Sequence, residues 1–135
     1  MTREYVVDAY AWIEYLIGSD VGARVKVVLE DENNGIYTSA VTLGEVISKI
    51  AREEQDVCTA YRILLSNSDV IDVDEELSKQ TGIIHAEMRK SKKDFGLADA
   101  FVLATARKLG TRILTGDPHF QGIKEATLVI KKPVS

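Results

Sequence analysis

Asp8, Glu45, Asp99 and Asp117 are separated carboxylates, each predicted to stand beside a strand end or a helix start. Asp8 closes the apolar run Tyr5-Val6-Val7, and Asp117 follows Ile113-Leu114-Thr115-Gly116. Asp99 lies in the first turn of an apolar helix, and Glu45 comes shortly after the short strand Gly35-Ile36-Tyr37-Thr38. If the strands are parallel, these points meet at one edge of the sheet. With no cationic partner among their sequence neighbours, the carboxylates would repel one another there. A divalent cation resolves that repulsion, and divalent cations serve widely in phosphodiester cleavage.

The elements that must position these acids can be read from apolar periodicity. Tyr5 to Val7 reads as a short buried strand, and Ala9 to Ile17 as a helix with Ala9, Trp12, Ile13 and Leu16 at helical spacing. Asp20 is expected to cap a second helix through Val21, Val25, Val28 and Leu29, stopped by Asn33-Asn34-Gly35. After the second strand, Ser39 or Thr42 can cap a helix through Val46, Ile47 and Ile50. Glu53 to Leu65 reads as a further amphipathic helix, followed by a strand Val70-Ile71-Asp72-Val73. Asp74 opens a long helix to about Arg89, weakened locally by Gly82. Leu97 to Leu109 is a core helix with Ala98, Phe101, Val102 and Ala106 inward and Gly110 as its stop. Ile113-Leu114 and Thr127-Leu128-Val129-Ile130 supply the fourth and fifth strands.

Strands alternating with helices predict an α/β fold, a central parallel sheet of about five strands flanked by helices. Ligands of such sheets bind outside the carboxyl ends of the strands, near the topological switch point. Asp8 and Asp117 both fall at carboxyl ends, which turns four scattered acids into a site hypothesis. Taken singly, Asp99 reads as a helix-start acid, Asp117 as a turn residue before proline, and Glu45 as a solvated glutamate. Asp8 resists such a reading, because an acid straight after a buried strand is costly without a partner.

Composition bounds the partners. The chain has 135 residues, 45% hydrophobic and 28% charged, with a net charge of -4. That is one domain spanning 1–135, and the negative balance argues against coating nucleic acid by bulk electrostatics. A single cysteine, Cys58, excludes an internal disulfide and is expected to pack as a small hydrophobe in a helix, in keeping with a reducing cytoplasm. The first strand begins too early to leave room for a signal peptide, and no apolar run approaches the roughly 20 residues that span a bilayer.

The segments Tyr5 to Tyr15, Thr38 to Val46, Gly96 to Ala106 and Leu114 to Phe120 resemble the four motif regions of PIN-domain ribonucleases, above all the prokaryotic VapC-type toxins. The resemblance runs through nearly the whole chain in the right order. It implies a Mg²⁺- or Mn²⁺-dependent endoribonuclease, a hydrolase whose metal and catalytic acids map onto Asp8, Glu45, Asp99 and Asp117. The hydroxyl preceding the last acid maps onto Thr115. The resemblance further implies a homodimer and a cognate antitoxin covering the acidic site. One departure stands out: where family members often carry a small hydroxyl residue shortly after the first acid, this chain has Ala9 and Tyr10.

Other residues carry weaker expectations. The basic run Arg89-Lys90-Ser91-Lys92-Lys93 can hold RNA phosphates or simply solvate a helix end. His119 can touch a phosphate, although a lone His in a turn more often has a structural role. Asp94 reads as a loop acid, Glu14 as a surface residue, and Trp12 and Phe101 as core. Two further functions compete: a catalytically silent PIN-like subunit for RNA binding or assembly, and a stand-alone RNA-processing nuclease. A phosphatase using Asp8 as nucleophile would want a second acid two residues on, where this chain has Tyr10.

Overall fold

The computed structural model describes residues 3–129. Its centre is a parallel sheet of β1 (Glu4–Val7), β2 (Gly35–Ser39), β3 (Asp69–Ile71), β4 (Arg112–Thr115) and β5 (Ala126–Leu128), in the order β3-β2-β1-β4-β5. The chain builds outward from β1 to β2 and β3, then returns to the other side of β1 for β4 and β5. The switch point therefore lies between β1 and β4, where Val7 pairs with Leu114. Each of these strands leads its next residues to the same edge.

Alternation along β1 feeds two cores. Tyr5 and Val7 face a cluster with Trp12, Val25, Leu29, Val46, Ile50 and Leu64, whereas Val6 faces one with Phe95, Leu103, Ala106, Ile113 and Phe120. The first face is covered by α1 (Ala9–Ile17), α2 (Asp20–Leu29), α3 (Ala40–Arg52) and α4 (Val57–Asn67), the second by α5 (Glu75–Met88) and α6 (Leu97–Leu109). After the exposed Glu4, β1 is buried from both sides and Tyr5 to Val7 is accordingly an uninterrupted apolar run. Trp12 is fully buried, and its Nε1 donates to Thr38 Oγ1 at 3.1 Å, which satisfies the indole inside the core.

The helix limits of α1 and α6 match the sequence reading, and elsewhere local chemistry shifts them. Ser19, not Asp20, caps α2, accepting from the Gly22 N–H at 3.0 Å. Ser39 rather than Thr42 caps α3. Residues 53–56 stay outside α4, because Asp56 caps that helix through the Thr59 N–H at 3.1 Å and Glu54 sits at φ 55. The buried positions of α4 are Ala60 and Leu64; Cys58, two residues before Ala60, lies across the helix and is exposed, contrary to expectation. Phe101 is half-buried, because α6 turns Ala100, Leu103 and Ala104 inward instead. The fifth strand ends at Leu128, and Ile130 lies outside the described residues.

Candidate active site at the carboxyl edge of β1 and β4

The first residue past β1 is Asp8, and it is only 4% exposed. Its backbone N–H continues the sheet by donating to the Leu114 carbonyl at 3.2 Å, while its side chain caps α1 by accepting from the Ala11 N–H at 2.9 Å. The other carboxylate oxygen takes a hydrogen bond from Thr115 Oγ1. Thr115 in turn accepts the Asp117 N–H at 2.9 Å, so a single hydroxyl links the acids that end β1 and follow β4. Between them, Gly116 lies under the Tyr10 ring and the Val129 carbonyl, and a Cβ at that position would collide with both.

Asp117 caps a short 3-10 turn, Pro118–Phe120, accepting from the His119 N–H at 2.9 Å. The turn brings the His119 ring back over the acids: Nδ1 lies 3.0 Å from Asp99 Oδ2 and 3.5 Å from Asp117 Oδ1. Phe120 anchors the turn in the core, edge-on to Phe95 at 5.7 Å between ring centres. Asp99 reaches the same place from α6, where its Oδ2 also accepts the Gly96 N–H at 2.9 Å at the start of the helix. One ligand atom each from Asp99, Asp117 and His119 all lie within 4.8 Å of one another.

Electrostatics ties in the remaining acids. Burial pushes the Asp8 carboxyl up to about 7, and the charges of Asp117 and Asp99 add to the rise against the hydrogen bonds from Thr115 and Ala11. Glu45 stands on α3 as an exposed residue, yet partial desolvation of its carboxyl raises its pKa, followed by repulsion from Asp99 and Asp117. The Tyr10 phenol is likewise raised by desolvation, then by Glu14, Asp117 and Asp8. One turn before Glu45, the buried Thr42 hydroxyl has no hydrogen-bond partner among the described residues.

The structure thus brings Asp8, Glu45, Asp99, Asp117 and Thr115 to one edge. It adds His119, which the sequence reading set aside as structural. The one local signal was its place two residues after a turn-capping acid, with Pro118 between them. Asp94 is exposed in the loop before α6, and Glu14 is engaged with Ser19 between α1 and α2. In the basic run, Lys90 pairs with Glu87 at 3.0 Å and Lys92 donates to the Gln121 carbonyl at 2.6 Å.

An open parallel sheet with acids gathered at its switch point defines an α/β domain. The family model described as PIN domain matches residues 5–126, and the chain belongs to the PIN domain family. Among solved structures, a toxin–antitoxin complex from Klebsiella pneumoniae is similar at 22% identity and a TM-score of 0.72, covering 95% of this chain and 99% of that one. VapBC2 from Rickettsia felis, solved with a promoter DNA fragment, is similar at 18% identity and a TM-score of 0.70, covering 95% and 97%. VapC20 from Mycobacterium tuberculosis, described as a toxin cleaving the sarcin-ricin loop, is similar at 22% identity and a TM-score of 0.66, covering 80% and 85%. No curated protein matches by sequence. At these identities the likeness is one of fold.

Proposed function

We propose that this chain, as one PIN domain over residues 1–135, is a metal-dependent endoribonuclease acting in the cytoplasm as the toxin of a toxin–antitoxin pair. The observation that carries the reading is the convergence of Asp8, Glu45, Asp99 and Asp117 at the β1–β4 edge, with Thr115 tying two of them together. The donor set suits a divalent cation, Mg²⁺ or Mn²⁺. Burial first, and repulsion from Asp99 and Asp117 after it, raise the pKa of Asp8 and Glu45, and Asp99, Asp117 and His119 offer convergent ligand atoms. When bound, the ion supplies positive charge against the negative charge that develops on the phosphate during cleavage.

The side chains have distinct tasks in this reading. Asp8, fixed by the Ala11 N–H and Thr115, provides the buried end of the site, and Asp99 and Asp117 provide its centre. Glu45, exposed on α3, stands where substrate enters. Thr115 is a positioning residue for both strand-end acids. Solved structures similar in fold are toxin–antitoxin assemblies, which supports an antitoxin partner for this chain; a homodimer is part of the same proposal.

The test is cleavage of a labelled RNA with Mg²⁺ or Mn²⁺ by the wild type, Asp8→Asn and Asp99→Asn. The expected result is cleavage abolished by EDTA and reduced at least a hundredfold by either substitution, the scale of losing a transition-state electrostatic group. Cleavage indifferent to EDTA and to both substitutions would sink the mechanism. RNA binding with no metal-dependent cleavage would instead favour a silent binding subunit.

A further inference from the structure

The face of α3 that carries Glu45 does not end at the acids. Ser48, Lys49 and Arg52 follow at three, four and seven residues, so all share one side of the helix. Together with Ala9 and Ile13 of α1 they line a groove of about 440 Å³ that opens beside Glu45. The helical rise sets Lys49 about 6 Å and Arg52 about 10 Å along the axis from Glu45. That is the scale of one to two nucleotides.

We propose that this groove is a backbone track for single-stranded RNA, with Lys49, Arg52 and Ser48 taking phosphates adjoining the one at the acids. The inference rests on the nuclease reading and specifies how its substrate is held. A polyanion approaching an acid-lined edge on a chain of net charge -4 is repelled unless cations flank that edge. Both cations can engage. Among the described residues Lys49 pairs with Glu53, at 3.0 Å and with both side chains more than two-fifths exposed, a contact readily exchanged for phosphate. The Arg52 Nε donates to the Ser48 carbonyl at 3.3 Å, and the guanidinium has no carboxylate partner among the described residues. The facing wall, Ala9 and half-buried Ile13, is uncharged and suits a sugar or base edge.

The experiment measures binding of a fluorescein-labelled, mixed-sequence 12-nucleotide RNA to Asp99→Asn protein, with and without Lys49→Gln and Arg52→Gln, across a salt series in Mg²⁺. Wild-type cleavage is assayed alongside. The expected result is a roughly tenfold weaker Kd at 0.1 M salt and a salt slope shallower by about 1.4, since each phosphate contact to a single strand contributes about 0.7. The charge-conserving pair Lys49→Arg and Arg52→Lys should restore the slope. Equal Kd and slope with and without the glutamines, while the wild type still cleaves, would overturn the track and leave the nuclease reading intact. The same equality with a loss of self-association in sedimentation would make the groove a protein interface and equally overturn it. A wild type that neither binds nor cleaves RNA would remove both readings.

Discussion

Asp8 is a buried acid whose two oxygens each hold one hydrogen bond, too few to offset the loss of water around a full charge. Its folded pKa of about 7 against 3.8 for the free side chain has a direct thermodynamic consequence. Between those values the Asp8 carboxyl binds a proton in the folded protein and not in the unfolded chain, so its contribution to stability is fully present below about pH 4 and is lost as pH rises through 7. The full swing is on the order of 4 kcal/mol. In EDTA, thermal melts from pH 4.5 to 8 should show a falling Tm for the wild type. Asp8→Asn, which cannot ionise, should flatten that fall and be the more stable protein at pH 8. Parallel pH profiles for the two would refute this account of Asp8.

At the scale of elements, α1, which begins directly after Asp8 and carries Tyr10, packs against α2. Gly22 lets α2 approach the end of α1, because a Cβ there would run into the Glu14 carbonyl. Gly22→Ala should therefore separate the helices and destabilise the protein by about 1–3 kcal/mol, the usual cost of overpacking. Gly82, on the exposed side of α5, meets nothing within 4 Å, and Gly82→Ala should stabilise by about 1 kcal/mol through helix propensity alone. Urea denaturation of the two variants checks both signs. Equal effects would mean that the close approach of α1 and α2 is not set by Gly22.

For the whole molecule, two halves of the chain meet at one acid-lined edge. β1 and α3 bring Asp8 and Glu45, and α6 and the turn after β4 bring Asp99, Asp117 and His119. A cation that joins these halves must stabilise the fold by mass action, by about 2.7 kcal/mol at a hundredfold excess over its Kd. Mn²⁺ added to EDTA-treated protein should raise the Tm by several degrees, and Asp117→Asn should remove most of the rise. A wild-type Tm unmoved by millimolar Mn²⁺ would count against a site shared between the halves. Among the described residues no helix is long and apolar enough to cross a membrane.

Much of this was legible in the residues because it is local. The apolar run Tyr5 to Val7, the helix Leu97 to Leu109 with its Gly110 stop, and acids at strand ends each follow from periodicity and capping within a few positions. Short-range competition between caps was less legible: Ser19 against Asp20, and Asp56 against the apolar periodicity that suggested an earlier start to α4. The sequence by itself determined which acids end which elements, and so that an acid-lined edge would exist if the strands ran parallel. Only the tertiary structure decided that Thr115 bridges Asp8 to the Asp117 backbone and that His119 turns onto Asp99. It also decided that the face of α3 beyond Glu45 opens as a groove. The Asp8–Thr115 and Asp99–His119 contacts join residues 107 and 20 positions apart and the groove depends on which face of α3 meets α1, and hydrophobic spacing along a chain carries no record of either.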